Sequence, residues 1–306
     1  MTIAHKFKQL QKPDYLRQRS LETYRVMTSP LRLLPEFLII GVQKGGTTSL
    51  YRYLEQHPCV ASAFAKEVHF FDNHTRDYKY GKGLSWYRSH FVYSSNKFYH
   101  HLVHQQHLMT GEGSPDYIFD VHAPQRIAQA LPQAKLIVLL RNPVDRAYSH
   151  YLHNVRAPWD THREPLSFEE AIAAESTRLQ GEREKLLQDE RYFSYRYMHY
   201  SYLERGKYAE QLQTWFNLYP QEQCLVLGSE NFFADPRSHF QQVLDFLGLP
   251  SWDLPEYPSF NARTEGAIAI DKGMRSQLVE YFKPHNQKLY ELLNYDFGWD
   301  SIHEQI

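Results

Sequence analysis

An apolar strand that runs directly into a glycine-rich turn is the feature of this chain that most limits its fold. Residues 37–50 read F-L-I-I-G-V-Q-K-G-G-T-T-S-L. Glycines allow a tight turn and bring backbone amides against an anion, and a following helix adds unpaired amides and the positive end of its dipole. The segment therefore predicts a phosphate-binding loop between a buried strand and a helix.

The loop differs from the nucleotide P-loop, G-x-x-x-x-G-K-[ST], in the position of its lysine. Gly41 and Gly46 keep the four-residue gap, but Thr47 stands where the lysine is expected and Lys44 lies inside the loop. In an ATPase the lysine after the last glycine reaches the β- and γ-phosphates. The displaced lysine favours a ligand with a shorter 5′ chain, such as one phosphate that carries one further group.

A second apolar segment ends in an arginine. Residues 135–151 read K-L-I-V-L-L-R-N-P-V-D-R-A-Y-S-H-Y, typical of a buried parallel strand, a turn, and a helix that begins near Pro143. A Walker-type NTPase would carry an aspartate for magnesium at this strand end, whereas this chain has Arg141. The planar guanidinium matches a phosphate, and the hydroxyl of Ser149, about two turns into the helix, would complete an anion cage.

The order of strands and helices predicts an α/β fold. We expect strands at 36–41, 135–140 and Cys224–Gly228, and helices at 47–57 and 143–156. These elements outline a P-loop-like three-layer fold with a central parallel sheet flanked by helices, and they place the nucleotide at the carboxyl edge of the sheet. Two further segments are predicted to be helical, the first of them as a mobile flap or insertion: 167–191 and 207–218.

Composition limits the class of protein. The 306 residues are 42% hydrophobic, enough for a full core, and we expect a loose or helical N-terminal arm at 1–32 and one domain at 33–306. The chain lacks both a stretch of roughly 18 uninterrupted apolar residues and the apolar core of a secretory signal. Two cysteines make no disulfide framework, and a net charge of −1 gives no global reason to expect nucleic acid. We therefore predict a cytoplasmic protein with no membrane span and no nucleic-acid partner.

At these residues the chain resembles the sulfotransferases that use 3′-phosphoadenosine 5′-phosphosulfate (PAPS). The loop with Lys44 resembles their 5′-phosphosulfate loop, and the segment with Arg141 and Ser149 resembles their 3′-phosphate motif. Three more segments resemble the heparan sulfate N- and 3-O-sulfotransferase branch and its bacterial relatives: K-E-V-H-F-F-D at 66–72, G-L-S-W-Y at 83–87, and F-K-P-H-N-Q-K-L-Y-E-L-L-N-Y-D-F-G-W at 282–299. The similarity runs from about Pro35 to Trp299, so 33–306 would form a single sulfotransferase domain.

The resemblance implies in-line transfer of a sulfonate from PAPS to a hydroxyl or amine of a glycan, lipid or small molecule, leaving adenosine 3′,5′-bisphosphate. Such a transfer needs an oriented acceptor, a base and positive charge on the departing phosphate, and it does not demand a metal ion. Lys44 is suited to hold the bridging oxygen. The residues expected to bind the cosubstrate are Lys44, Gly45, Gly46, Thr47, Thr48, Ser49, Arg141 and Ser149. Thr47 or Thr48 could instead serve only as a helix cap.

Glu67 matches the glutamate that acts as general base in the resembling branch. His69, two residues on, would share its side of an extended segment, so either group could take the proton of the acceptor. The alternative role for Glu67 is a structural pair with a nearby lysine or arginine. Asp72 matches an acidic residue of the same motif, although it also suits a turn at a strand end.

One position departs from the pattern of the family. The segment G-E-G-S-P-D-Y at 111–117 aligns with a segment in which a lysine near the sulfuryl group stands at the position of Gly113. Without that charge, stabilisation of the leaving group is expected to depend on Lys44, with His69 as a second candidate. Glu112 becomes a second carboxylate near the site and a reserve base.

Two other functions stay open on the sequence alone. One is a P-loop kinase or NTPase that uses Mg-ATP, and the other is a nucleotide-binding protein that lost catalysis with the lysine at Gly113.

Three further segments have more than one interpretation. His100, His101, His104 and His107 have a spacing that could bind zinc, but an exposed histidine-rich helix is favoured because no cysteine or repeated acidic partner accompanies them. The tyrosine-rich run at 192–202 is predicted to be a packing layer rather than a platform for an adenine or a sugar. Residues 272–275 resemble, imperfectly, the family loop that closes over the 3′-phosphate.

Overall fold

The computed structural model describes residues 12–73, 77–156, 163–260 and 270–300. Within these ranges a five-stranded sheet carries helices on both faces. The strands are β1 Phe37–Gly41, β2 Val60–Ser62, β3 Met109–Gly113, β4 Lys135–Leu140 and β5 Cys224–Gly228. All four strand pairs are parallel, in the order β2-β3-β1-β4-β5. The predicted α/β fold with a central parallel sheet is confirmed.

Along the chain, each strand is separated from the next by at least one helix. The helices of the described ranges are α1 Lys12–Met27, α2 Thr47–Leu54, α3 Leu84–Arg88, α4 Ser94–His104, α5 Ala123–Ala130, α6 Pro143–Arg156, α7 Phe168–Leu179, α8 Glu182–Gln188, α9 Tyr195–Tyr200, α10 Tyr208–Phe216, α11 Ser229–Ala234, α12 Pro236–Leu247 and α13 Lys272–Leu293. Short 3₁₀ helices cover Ser29–Leu31, Lys79–Lys82, Glu204–Gly206 and Gln221–Gln223. No helix in these ranges has the length and apolar character needed to cross a bilayer.

The core lies on both faces of the sheet because successive side chains of each strand point in opposite directions. Leu38 and Leu136 pack on one face with Trp215, whereas Phe37 and Ile137 pack on the other with α2 and α12. Both faces of β1 and β4 are therefore buried, which explains why these strands read as continuous apolar runs. The helices on the two faces and the sheet between them form the three layers.

Two strands were not predicted, β2 and β3. β3 reads M-T-G-E-G and is buried throughout. Glycine and glutamate are uncommon in strands, so the residue pattern did not predict one here. A Cβ at Gly111 would lie 2.4 Å from a ring carbon of Phe37, so only glycine fits beside β1 there. Glu112 can be buried because its carboxylate accepts hydrogen bonds from the groups around it.

The predicted boundaries need small corrections. β1 begins at Phe37 rather than at 36, and α2 ends at Leu54 rather than at 57. The early end of α2 has a local cause, since Pro58 disfavours the helical conformation for the residue before it. The Nδ1 atom of that residue, His57, accepts the amide of Cys59 at 3.0 Å and closes the turn.

The predicted flap at 167–191 is helical, as expected, but it is packed rather than detached. It forms α7 and α8, which bury Phe168, Ala171 and Leu186. The side chain of Ser167 caps α7 in a capping box with Glu170. These anchors make the segment a layer of the domain.

The tyrosine-rich and histidine-rich segments follow the predicted interpretations. The ring of Tyr197 stacks on Phe119 with centroids 4.6 Å apart, and Tyr202 is fully buried, so this run is a packing layer. α4 carries no buried residue, and the exposed histidine-rich helix is confirmed for His100, His101 and His104, whereas His107 lies beyond the end of the helix. In the part of the chain that the structure describes, no group of three or more histidine, cysteine or acidic side chains is arranged to hold a metal ion.

Candidate active site

Three neighbouring strands end at one edge of the sheet and place charged loops there. The loop after β1 carries Lys44, the turn after β4 carries Arg141, and Ser114 follows β3. Nη1 of Arg141 donates to the carbonyl oxygen of Lys44 at 2.9 Å. The two cations that the sequence assigned to one ligand thus belong to adjoining loops.

The loop after β1 requires glycine at its end. Lys44 and Gly46 have left-handed backbones, with φ of 70° and 96°. A Cβ at Gly45 would lie 2.5 Å from the carbonyl oxygen of Leu139, and one at Gly46 would lie 2.7 Å from the ring of Phe233. The missing side chains let the backbone turn close against β4 and α11 and leave its amides at the edge of the sheet.

The start of α2 fits an anionic ligand. Gly46 is the N-cap residue, and no side chain caps this helix start. Thr47 is buried and Thr48 is half-buried in the first turn, so the interpretation of either threonine as the helix cap is wrong. The first-turn amides and the helix dipole thus favour a negative group at this position.

Ser49 lies deeper than the anion loop. Its side chain is fully buried, and its hydroxyl accepts the amide of Phe260 at 3.0 Å. The hydroxyl thus ties the segment after α12 to α2. A hydroxyl that accepts one amide keeps its own proton to donate, so Ser49 stays a predicted contact of the anion.

The start of α6 is built differently from that of α2. Oδ1 of Asn142 accepts the amide of Val144 at 3.0 Å and caps the helix, and the Asn142 amide donates to Glu230 at 2.8 Å. Because the cap is filled, an anion at this end must be bound by side chains. Arg141 and the half-buried Ser149 of α6 are the candidates.

Glu67, His69 and Asp72 form a chain of charged groups. Nδ1 of His69 lies 2.7 Å from Oδ2 of Asp72, and its Nε2 lies 3.7 Å from Oε2 of Glu67. Lys66 makes a short contact with Oε1 of Glu67. The two predicted proton-handling groups are together, but not on an extended segment, since φ is 59° at Glu67 and 51° at His69.

These contacts shift the pKa values of Glu67 and His69 in opposite directions. Burial opposes the shift, but hydrogen bonding to His69 and the charge of Lys66 lower the pKa of Glu67 to about 2. Burial also opposes the shift of His69, but Asp72 and Glu67 raise its pKa to about 10. At neutral pH Glu67 is an ionised acceptor of protons and His69 is a cation.

Lys44 lies in a group of positive charges. Burial lowers its pKa, and repulsion from Arg141 and Arg146 lowers it further, whereas the carboxylate of Glu67 raises it. Arg146 is fully buried on α6, and burial lowers its own pKa to about 10. The edge of the sheet therefore has an excess of positive charge that an anionic ligand would neutralise.

The prediction of Glu112 as a reserve base is wrong. Its side chain is fully buried, and its carboxylate accepts hydrogen bonds from Tyr87, Tyr117, Ser114 and the Val68 amide. A group sealed in this way cannot touch an acceptor.

Gly113, the position at which the resemblance implies a lysine, is buried on β3. A Cβ there would meet Ile39 at 3.5 Å and Tyr51 at 3.7 Å, which are ordinary contacts. Steric crowding therefore does not explain why a glycine, Gly113, stands at this position. The strand M-T-G-E-G offers no cation of its own.

The sequence did not predict two features that act on the charged groups of the site: a buried ion pair near His69 and the role of the lysine beside Glu67. Asp116 and Arg205 form a buried ion pair, with Oδ1 and Nη1 2.6 Å apart, and the charge of Asp116 helps to raise the pKa of His69. Asp116 lies in a segment that the sequence had singled out, whereas Arg205 lies 89 positions away and gave no signal. Lys66 was part of a recognised motif but had no assigned role.

The segment 272–275 is not a loop. It begins α13, capped by Asp271, and Arg275 pairs with Asp145 of α6. The preceding residues 261–269 lie outside the described ranges.

Comparison with known proteins identifies the family. The model of the sulfotransferase domain matches residues 34–285. The chain belongs to the sulfotransferase domain family. The enzyme class predicted from the motifs is thereby confirmed, and the kinase alternative is not supported.

Individual relatives of this sulfotransferase support the assignment. The human "heparan sulfate glucosamine 3-O-sulfotransferase 3A1" is 31% identical over 88% of the chain, which spans 63% of that protein. The "membrane-associated sulfotransferase kil1" of Dictyostelium discoideum is 29% identical, with 89% of the chain and 68% of that protein covered. A crystal structure of a sulfotransferase from Alicyclobacillus acidocaldarius is similar with a TM-score of 0.63 and 29% identity, covering 88% of this chain and 100% of that one.

Proposed function

We propose that this sulfotransferase uses PAPS as its donor and transfers the sulfonate to a sugar hydroxyl, with Glu67 as the base. The observation that carries the proposal is the position of Lys44. It lies at the end of the loop after β1, its carbonyl is bound by Arg141, and its charge is close enough to Glu67 to be stabilised by it. A cation and a base thus share one site.

Two groups of residues would hold the cosubstrate, whose activated sulfonate is the group that is transferred. Lys44, Gly45, Gly46 and the first turn of α2 offer amides, a helix dipole and one ammonium to its 5′ end. Arg141 and Ser149 offer a guanidinium and a hydroxyl to its 3′-phosphate. The filled cap of α6 supports this division, because only side chains can serve the second anion.

Glu67 is the better base of the two candidates. It is ionised at neutral pH, whereas His69 already carries a proton. Its side chain is 38% exposed, so an acceptor can reach it. An acceptor hydroxyl that displaces Lys66 from Oε1 would remove one stabilising charge and raise the basicity of the carboxylate.

His69 supplies positive charge beside the reacting groups. It is held as a cation by Asp72, and its Nε2 lies 3.7 Å from Glu67, whose charge acts on Lys44. We assign to it part of the stabilisation that a lysine at Gly113 would provide.

A sugar hydroxyl is the acceptor that we put first. The names of the animal relatives, heparan sulfate glucosamine 3-O-sulfotransferases, support a hydroxyl on a glycan. The net charge of −1 supports a short or weakly charged glycan over a long polyanion. A cytoplasmic location stays a prediction.

The donor is tested by ligand binding. Adenosine 3′,5′-bisphosphate in the presence of a chelator is expected to raise the melting temperature, as any ligand selective for the native state does. Stabilisation only by Mg-ATP would refute the donor assignment.

The base is tested by turnover of labelled PAPS with an oligosaccharide, a hydroxylated lipid and a small alcohol as acceptors. Glu67→Gln is expected to lower kcat by about 10²- to 10⁴-fold, the range of general base catalysis, without changing the affinity for the bisphosphate. The matched control is Glu55→Gln, which changes a glutamate of the α2 terminus paired with Arg52. Turnover by Glu67→Gln at the rate of the control would refute the assignment.

A further inference from the structure

We infer that Glu112 is a positioning residue for catalysis: its buried carboxylate holds three successive backbone amides and so fixes the catalytic segment, defined here as residues 67–70. The inference rests on the proposed role of Glu67 as the base. It assigns a function to a carboxylate that cannot take part in the reaction itself.

One oxygen of Glu112 holds the first two amides. Oε2 accepts the Val68 amide directly at 3.2 Å and the hydroxyl of Ser114 at 2.8 Å. Oγ of Ser114 in turn accepts the amide of His69 at 3.2 Å. The backbone on both sides of Val68 is therefore tied to a single carboxylate oxygen.

The other oxygen holds the third amide. Oε1 accepts the hydroxyl of Tyr117 at 2.9 Å and that of Tyr87 at 2.8 Å. The oxygen of the Tyr117 hydroxyl accepts the amide of Phe70 at 3.1 Å. From the other side, Nζ of Lys79 donates to the carbonyl oxygen of Val68 at 2.9 Å.

The catalytic segment needs such an anchor because its backbone is strained. Glu67 and His69 both have left-handed φ angles, which residues with a Cβ adopt at a cost in free energy. Left-handed residues near one another in sequence turn successive amides toward one point, and such a concave group of amides binds an anion. Here the Val68 amide reaches the carboxylate of Glu112 directly, and the next two amides reach it through the hydroxyls of Ser114 and Tyr117.

The arrangement also explains why a glutamate stands in the core of β3. Burial raises the pKa of Glu112, and the hydrogen bonds from its four partners counteract that shift. All four donate, which is the arrangement that suits an ionised carboxylate, since it can only accept. With its oxygen toward the Val68 amide, a glutamine at this position would place its N–H groups opposite the hydroxyls of Tyr87 and Tyr117, which would have to turn from donating to accepting. The segment would then relax away from the left-handed conformation, and the 3.7 Å contact between His69 and Glu67 would be lost.

The test is Glu112→Gln in the full chain, with kcat divided by the number of sites that bind adenosine 3′,5′-bisphosphate, so that misfolded molecules do not count. We expect kcat to fall by about 100-fold, the effect of misplacing a catalytic group by about 1 Å, with the affinity for the bisphosphate within about twofold of wild type. We also expect the acidic limb of the kcat/KM profile to move to higher pH, because Glu67 loses its aligned contact with His69. A loss of fold alone would not move that limb.

Two sets of variants serve as controls. Glu164→Gln changes another buried carboxylate that accepts a backbone amide, that of Leu166, and a tyrosine hydroxyl, that of Tyr202, away from the catalytic segment, and it should leave kcat and the pH profile unchanged. If Glu112→Gln does not fold, Ser114→Ala and Tyr117→Phe release the His69 and Phe70 amides singly and must each lower kcat without loss of bisphosphate binding.

The outcomes separate the two proposals. Wild-type kcat in Glu112→Gln, or in both Ser114→Ala and Tyr117→Phe, together with an inactive Glu67→Gln, overturns the inference about Glu112 and leaves the base assigned. An active Glu67→Gln overturns the proposed base itself.

Discussion

The charge on His69 makes the stability of this protein depend on pH in a way that can be measured. Asp72 and Glu67 outweigh burial and raise the pKa of the imidazole from 6.5 to about 10. The side chain is only 8% exposed, so solvent screens little of this interaction. The perturbation is His69→Gln, which removes the titrating group and keeps a polar side chain of similar size.

The magnitude follows from the two pKa values. Below pH 6.5 both the native and the unfolded state carry the proton, and the stabilisation is fully present. Between pH 6.5 and about pH 10 only the native state keeps the proton, so the free energy of unfolding falls by about 1.4 kcal/mol per pH unit. The accumulated loss is about 5 kcal/mol, which is an upper bound because Asp72 and Glu67 are coupled to the ring.

The assay is urea unfolding of wild type and His69→Gln at a series of pH values across that window. The free energy of unfolding of the wild type minus that of the variant is expected to shrink steadily from pH 6.5 toward pH 10. Titrating groups that are not coupled to His69 cancel in this difference. His104→Gln on the exposed α4 is the control and should run parallel to the wild type. A difference between wild type and His69→Gln that stays constant over the window would refute the charged imidazole.

Two further predictions concern the anion loops. Arg141→Ala is expected to weaken the binding of adenosine 3′,5′-bisphosphate by about 1.5–3 kcal/mol, the value of a hydrogen bond to a charged group, and to affect adenosine 5′-phosphate much less; equal losses in calorimetric titrations would contradict the assignment to the 3′-phosphate. Gly46→Ala is expected to destabilise the protein by about 1–3 kcal/mol in urea and to lower bisphosphate affinity, because φ is 96° and the new Cβ would lie 2.7 Å from Phe233. The control Gly181→Ala has the same left-handed backbone, with φ of 74° and ψ of −2°, and open space around it, so it measures backbone strain alone, and equal effects of the two variants would exclude the steric contact.

Local patterns were enough to predict the two loops that we propose to bind anions. β1 and β4 are buried on both faces, so each reads as an apolar run, and each run leads directly into a loop at the carboxyl edge of the sheet. Lys44 and Arg141 could be assigned from this pattern because their positions depend on residues next to them in the chain. β3 could not be predicted in this way. Its Gly111 makes room for the ring of Phe37, which lies on β1 more than 70 residues earlier in the chain.

The role of a carboxylate depends on what surrounds it, and that information is not local. Glu67 and Glu112 both stand beside the proposed site, and the sequence could treat them only as two candidate bases. The structure distinguishes them by exposure and by partners: Glu67 is 38% exposed between a lysine and a histidine, whereas Glu112 is sealed among four donors drawn from positions up to 44 residues away. An exposed carboxylate beside cations can accept a proton from a ligand, but a buried one saturated with donors can only hold the backbone. The same residue type thus serves chemistry at one position and geometry at the other, and the hydrogen-bond partners decide which.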